Sequence, residues 1–146
     1  MSRLKLLYSL GTIFCLLNSL IVFGKGGESK NVSSVSVIKL IDLRCEYLDS
    51  PLGIDVRQPR LSWKMQVPPT VRGKKQTAYE ILVASSSELL RRDKGDLWNS
   101  GCVVSDESVN IVYKGKSLES NQKCFWKVRI CDEQGNWSAW SSPGFW

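Results

Sequence analysis

The 146-residue sequence contains no histidine. That absence excludes Ser-His-Asp and Cys-His catalysis, imidazole metal ligation and a histidine pH switch. C-x-x-C pairs are also missing: Cys45, Cys102, Cys124 and Cys131 follow one another at spacings of 57, 22 and 7, so a zinc site has no support. What is there is ordinary globular material, 42% apolar and 23% charged. The length allows about one domain. A single domain of this size has little room for a deep cleft, which favours a binding or structural module over an enzyme.

The first two dozen residues carry a different signal. Arg3 and Lys5 precede an apolar run from Leu6 to Phe23, and Val22 and Gly24 supply the small residues that signal peptidase requires. Residues 1–24 are therefore expected to be a signal peptide cleaved after Gly24. The alternative, a single-span anchor, is weakened by Asn18 and Ser19 in the second half of the run. Residues 25–35 form a flexible lead-in, and 36–146 a β-domain. Without the leader, 18 basic residues stand against 14 acidic ones, mostly scattered, so no nucleic-acid surface is expected. Four cysteines in an oxidising compartment allow two disulfides in any of three connectivities, or free buried thiols. Cys124 and Cys131 are an odd number apart, so one continuous strand would place them on opposite faces.

The rest reads as short strands and turns. Candidate strands are Val37–Tyr47, Arg60–Gln66, Thr77–Ser85, Leu97–Ser100, Val109–Tyr113, Lys123–Cys131 and the terminal Trp137–Ser142 and Pro143–Trp146. Leu61, Trp63 and Met65 alternate with polar residues; so do Cys124, Trp126, Val128 and Ile130 with Phe125, Lys127, Arg129 and Cys131. Ser86 or Ser87 caps a short helix to about Arg92, which Gly95 stops. With about seven strands, one short helix and no βαβ alternation, the fold class is all-β, an immunoglobulin or fibronectin type III-like β-sandwich. Trp63 and Trp126, from opposite sheets, are expected to pack together at its centre.

Trp137-Ser138-Ala139-Trp140-Ser141 is similar to the WSxWS motif of cytokine receptors, with Lys127 and Arg129 spaced to place cations on the indoles; any aromatic last strand would also do this. The sequons at Asn31 and Asn136 receive no role. Paired carboxylates would signal a glycosidase, but Asp42, Glu46, Asp49, Asp55, Glu80, Asp106, Glu107, Asp132 and Glu133 are expected on exposed strand faces or turns. Exposed aromatics offer a sugar-stacking or partner surface instead, with Trp98, Phe125, Tyr113 and Trp146 as candidates.

Leu43-Arg44-Cys45-Glu46-Tyr47, Pro51-Leu52-Gly53-Ile54-Asp55, Pro59-Arg60-Leu61-Ser62-Trp63, Gln76-Thr77-Ala78-Tyr79, Ile81-Leu82-Val83-Ala84-Ser85, Gly95-Asp96-Leu97-Trp98 and Cys124-Phe125-Trp126-Lys127-Val128-Arg129 occur in order. Together they resemble the opening of bacterial α-L-rhamnosidases of glycoside hydrolase family 78, over essentially all of 39–146. The resemblance implies an N-terminal fibronectin type III-like domain that precedes further β-sandwiches and an (α/α)6 barrel. That barrel carries the acidic residues of an inverting, metal-independent hydrolysis. No catalytic, cofactor-binding or metal-binding position transfers to this chain, and no cofactor is implied.

The expected function is a non-catalytic accessory domain of an exported rhamnosidase, as a truncated or split gene product. Its expected partners are the downstream domains and rhamnose-containing glycans, with no nucleic acid and no membrane span after signal cleavage. Export would place it in the periplasm, at the cell surface or outside a bacterium. The alternatives are a stand-alone carbohydrate-binding or protein-binding module and, last, a small enzyme.

Overall fold

Alternation of apolar and polar side chains along Arg60–Gln66 gives a strand with one buried edge of contacts, and the computed structural model, which describes residues 35–146, builds the molecule around such strands. These residues lie in the second of two compact units in the chain; the expected signal peptide, residues 25–34 of the expected lead-in and the Asn31 sequon fall outside the described residues. In chain order the elements are β1 (Lys39–Cys45), β2 (Arg60–Gln66), β3 (Gln76–Ala84), α1 (Ser87–Arg91), β4 (Trp98–Asn99), β5 (Val103–Val104), β6 (Ile111–Val112), β7 (Phe125–Asp132) and β8 (Gly144–Phe145). They form two antiparallel sheets, β1-β2-β6 and β4-β3-β7-β8, with β5 pairing on β3 beside β4. This is the expected β-sandwich.

The core lies between the sheets. Leu40, Leu61, Trp63 and Ile111 enter it from the first sheet, and Tyr79, Ile81, Val83, Trp126, Val128 and Ile130 from the second. Trp63 and Trp126 share that core as expected, but the ring that meets Trp63 edge-on is Tyr79, 5.3 Å away. Trp63 also donates its indole N–H to Gln76 Oε1 at 3.1 Å, which satisfies a polar group that would otherwise be stranded. Gln76 in turn donates to the carbonyls of Ser105 and Glu107.

Residues of opposite parity on β3 and β7 form a second, smaller cluster: Leu82, Ala84 and Phe125, covered by Leu89 and Leu90 of α1 and by Trp140. Ser86 caps α1 by accepting from the Leu89 N–H. The helix ends at Arg91 with Arg92 as its C-cap, close to the expected end, and Asp93, ahead of Gly95, takes the left-handed conformation that turns the chain, φ 56°. An aspartate tolerates that region better than most residues.

Several strands are shorter than the alternation suggests. Asn110, at φ 59°, breaks the Val109–Tyr113 run to Ile111–Val112. Trp137–Ser142 is not a strand: Ser138 and Ser141 bond the β7 backbone with both their own amides and their hydroxyls, the latter accepting from Ile130 N and Val128 N. A three-residue step replaces the two-residue step of a ladder.

Candidate functional site

The open flank of the sandwich, where β6 of one sheet and β4 and β5 of the other are edge strands, holds a cleft of about 310 Å³. Trp98, Asn99, Ser100 and Val103 line one side; Glu107, Asn110, Ile111, Val112 and Lys114 line the other. Trp98 is half-buried and projects from β4 against Tyr113, ring centres 5.3 Å apart and nearly perpendicular. Tyr113 is itself locked. Its hydroxyl donates toward the carbonyls of Lys116 (2.9 Å) and Leu97 (3.3 Å), and its ring meets Trp146 edge-on. A side chain at Gly115 would collide with that hydroxyl, so the sequence has none there. Burial pushes the Tyr113 hydroxyl up to about 12.

Of the aromatics singled out as candidates, the structure brings Trp98 alone to this cleft. Tyr113 and Trp146 are buried core residues, 1% and 6% exposed, and cannot stack on a ligand. Phe125 is half-buried and lies 6.4 Å from Phe145 in the second cluster, among residues outside the Trp98 cleft. Trp98 and Phe125 do not form one platform. The polar members of the cleft, Asn99, Glu107, Asn110 and Lys114, were not visible as a group because β4, the β5–β6 connection and the segment after β6 bring them together. Only the Asn-Ile step at 110 hints at a turned backbone.

Asp49, Asp55, Asp106, Glu107 and Glu133 are exposed, as expected, whereas Asp42, Glu46 and Glu80 are half-buried and each has a holder. Asp132 is buried, 1% exposed, a correction to its expected place on the surface. Burial alone would raise its pKa, but N–H groups of Asn136 and Gln134, the Lys74 ammonium and the Ser36 hydroxyl hold it down to about 2. Glu46 accepts from Arg60 through the guanidinium and the backbone, which holds its carboxyl below the usual range despite burial. Glu80 is paired with Arg129, and Asp42 with Lys64 and Arg44. Asp96 accepts from the amide and hydroxyl of Ser85. Carboxylates tied in this way fix loops and strands to one another.

The WSAWS segment forms the cation ladder its spacing implies. Arg129 lies 4.8 Å from the ring centre of Trp137 and 4.7 Å from that of Trp140, and Lys127 lies 4.9 Å from Trp140. Lys127 is buried, where it donates to the Leu90 carbonyl at the end of α1 and to Asp93. All four described cysteines are free thiols; Cys45, Cys124 and Cys131 are buried and Cys102 is exposed.

Fold and site together define an immunoglobulin-like β-sandwich in which the paired charges tie strands and loops to one another and a cleft containing Trp98 lies on the open flank. Residues 40–146 match the family described as the Rha78A-like, N-terminal immunoglobulin domain, and the chain belongs to that family. It is 41% identical over 112 residues to an alpha-L-rhamnosidase of Streptomyces avermitilis, covering 77% of this chain and 10% of the relative. Against an alpha-L-rhamnosidase of Formosa agariphila it is 34% identical over 141 residues, covering 97% and 14%. Among solved structures, the alpha-L-rhamnosidase of Dictyoglumus thermophilum superimposes with a TM-score of 0.72 at 39% identity, over 77% of this chain and 12% of that one. The chain thus spans about a tenth to a seventh of the length of these relatives. What it shares with them is a small N-terminal immunoglobulin-like domain, an accessory unit without their catalytic part.

Proposed function

We propose that this chain is the non-catalytic N-terminal accessory module of an exported α-L-rhamnosidase of glycoside hydrolase family 78, which packs against the domains that hold the active site. The observation that carries this reading is the confinement of the match: residues 40–146 correspond to the N-terminal domain of enzymes about ten times longer. The tied carboxylates support it, since an inverting glycosidase needs two acids roughly 6.5–9.5 Å apart and free to exchange protons.

Export is supported by the basic start and apolar run of residues 1–24, and rhamnose-bearing glycans are the material the whole enzyme would handle. N-terminal sequencing of the secreted product should begin at Lys25; a product that retains Met1 would overturn export by cleavage. The purified chain should fold and leave an aryl α-L-rhamnoside intact. Sustained release of the aryl group by the pure chain, abolished by no removable contaminant, would overturn the accessory role.

A further inference from the structure

We infer that the Trp98 cleft is a carbohydrate-binding site, one that seats a single pyranose ring on the Trp98 indole. The cleft is small for a ligand pocket, at about 310 Å³ near the bottom of the ~300–1,000 Å³ range, and that suits one sugar ring rather than a drug-sized or nucleotide ligand. Its chemistry is amphipathic in the way a sugar is. Both sides carry apolar surface: the indole of Trp98 and Val103 on one, Ile111 and Val112 on the other. The apolar C–H face of a pyranose packs on such a surface, and a locked aromatic loses little entropy in doing so. Trp98 is locked, because Tyr113 behind it is held by two carbonyls.

The rim supplies matching hydrogen-bond groups that the protein leaves unspent. Asn99 uses its side-chain oxygen on the Gly101 amide, and Asn110 uses its own on the Tyr47 hydroxyl. Both therefore retain their NH2 donors. Glu107 and Lys114 have no ion-pair partner among the described residues, in contrast to Asp42, Glu46, Glu80 and Asp132. Two amide donors, an ammonium and a carboxylate acceptor around an aromatic floor can meet hydroxyls of both senses. The other cleft of similar size, between β1 and residues 142–144, has no aromatic side chain, and its Asp42 is already held by Lys64 and Arg44.

The inference rests on the proposed function only for the choice of L-rhamnose as first probe. The experiment is a titration of the isotopically labelled chain with L-rhamnose and, separately, D-glucose, following side-chain indole and amide signals by NMR. The expected result is a saturable shift of the Trp98 indole N–H and the Asn99 and Asn110 amides by at least one sugar. Trp98→Ala should abolish it. Because that change also removes a packing contact of Tyr113, the surface variants Glu107→Ala and Lys114→Ala provide the second arm: each should weaken binding by about 3–10-fold, the loss expected for one hydrogen bond. Phe125→Ala should leave it unchanged.

No saturable shift with either sugar overturns the site, as does a shift that survives Trp98→Ala or that maps to Phe125. A response confined to the Ile111–Val112 backbone amides when an extended peptide is added, with none to sugars, assigns the flank to peptide pairing and equally overturns it. The accessory role is independent of these outcomes, since turnover of an aryl rhamnoside, not sugar binding, is what would overturn that reading.

Discussion

Arg129 lies over the Trp140 ring, its guanidinium carbon 4.7 Å from the ring centre, while its Nη2 reaches Glu80 Oε2 at 2.6 Å. One side chain thereby joins the segment 137–142 to β7 and β7 to β3. Arg129→Ala should destabilise the domain by about 2 kcal/mol, the sum of two cation–π contacts and a partly shielded ion pair. Arg129→Lys keeps the charge but not the plane and should recover only part of this. Urea denaturation of the three proteins reads both effects; equal stability of all three would refute the ladder's role.

Lys127 is the most deeply placed cation among the described residues, its side chain 8% exposed between the Leu90 carbonyl, Asp93 and Trp140. Truncation strands the Leu90 carbonyl at the end of α1, while the largely exposed Asp93 carboxylate returns to solvent. Lys127→Ala should cost about 2–4 kcal/mol, whereas Lys127→Met, which retains the stem's packing, should cost less. Thermal unfolding of the two variants decides this, and a Met variant no better than Ala would mean packing is not part of the side chain's role.

Acid should loosen the β7 turn first. The Asp132 carboxyl is held at about 2, below its ordinary 3.8, so its contribution is complete above about pH 4 and is lost as pH falls toward 2. Asp42, Glu46 and Glu133 are shifted in the same direction. Asp132→Asn should lower stability at pH 7 and flatten the dependence between pH 4 and 2. An unchanged acid limb in the variant would place the effect elsewhere.

Thiol chemistry follows burial. Desolvation pushes Cys45 up to about 12 and Cys124 up to about 11, and thiols so held are neither nucleophilic nor reachable. Under native conditions iodoacetamide should label Cys102 rapidly, and Cys45, Cys124 and Cys131 only after unfolding, as read by peptide mass spectrometry. Rapid native labelling of Cys45 or Cys124 would contradict this.

Much of the fold was legible in the alternation of residues. The parity of Cys124, Trp126, Val128 and Ile130 against Phe125, Lys127 and Arg129 assigned both faces of β7 correctly, because burial on one face enforces a two-residue period. The same parity separated Cys124 from Cys131. Alternation failed where side chains substitute for backbone partners, as Ser138 and Ser141 do, and where only two residues pair, as in β5. Of the candidate aromatics, only Trp98 lines the cleft. Tyr113 carries the same aromatic signal, but its ring is packed into the core against Trp98 and Trp146, contacts 15 and 33 positions away in sequence that no local pattern encodes. Asp132 misled for a related reason: a turn aspartate is ordinarily solvated, but Lys74 comes 58 positions away in sequence to close over it.

The most direct measurement of the accessory role is a domain exchange. Residues 40–146 replace the matching N-terminal domain of the Streptomyces avermitilis alpha-L-rhamnosidase, and the chimera is compared with the parent and with a deletion of that domain. The predicted result is rhamnosidase turnover and a thermal midpoint in the chimera close to those of the parent, with the deletion clearly less stable. A chimera that unfolds as early as the deletion, while residues 40–146 remain folded within it, would contradict the central claim.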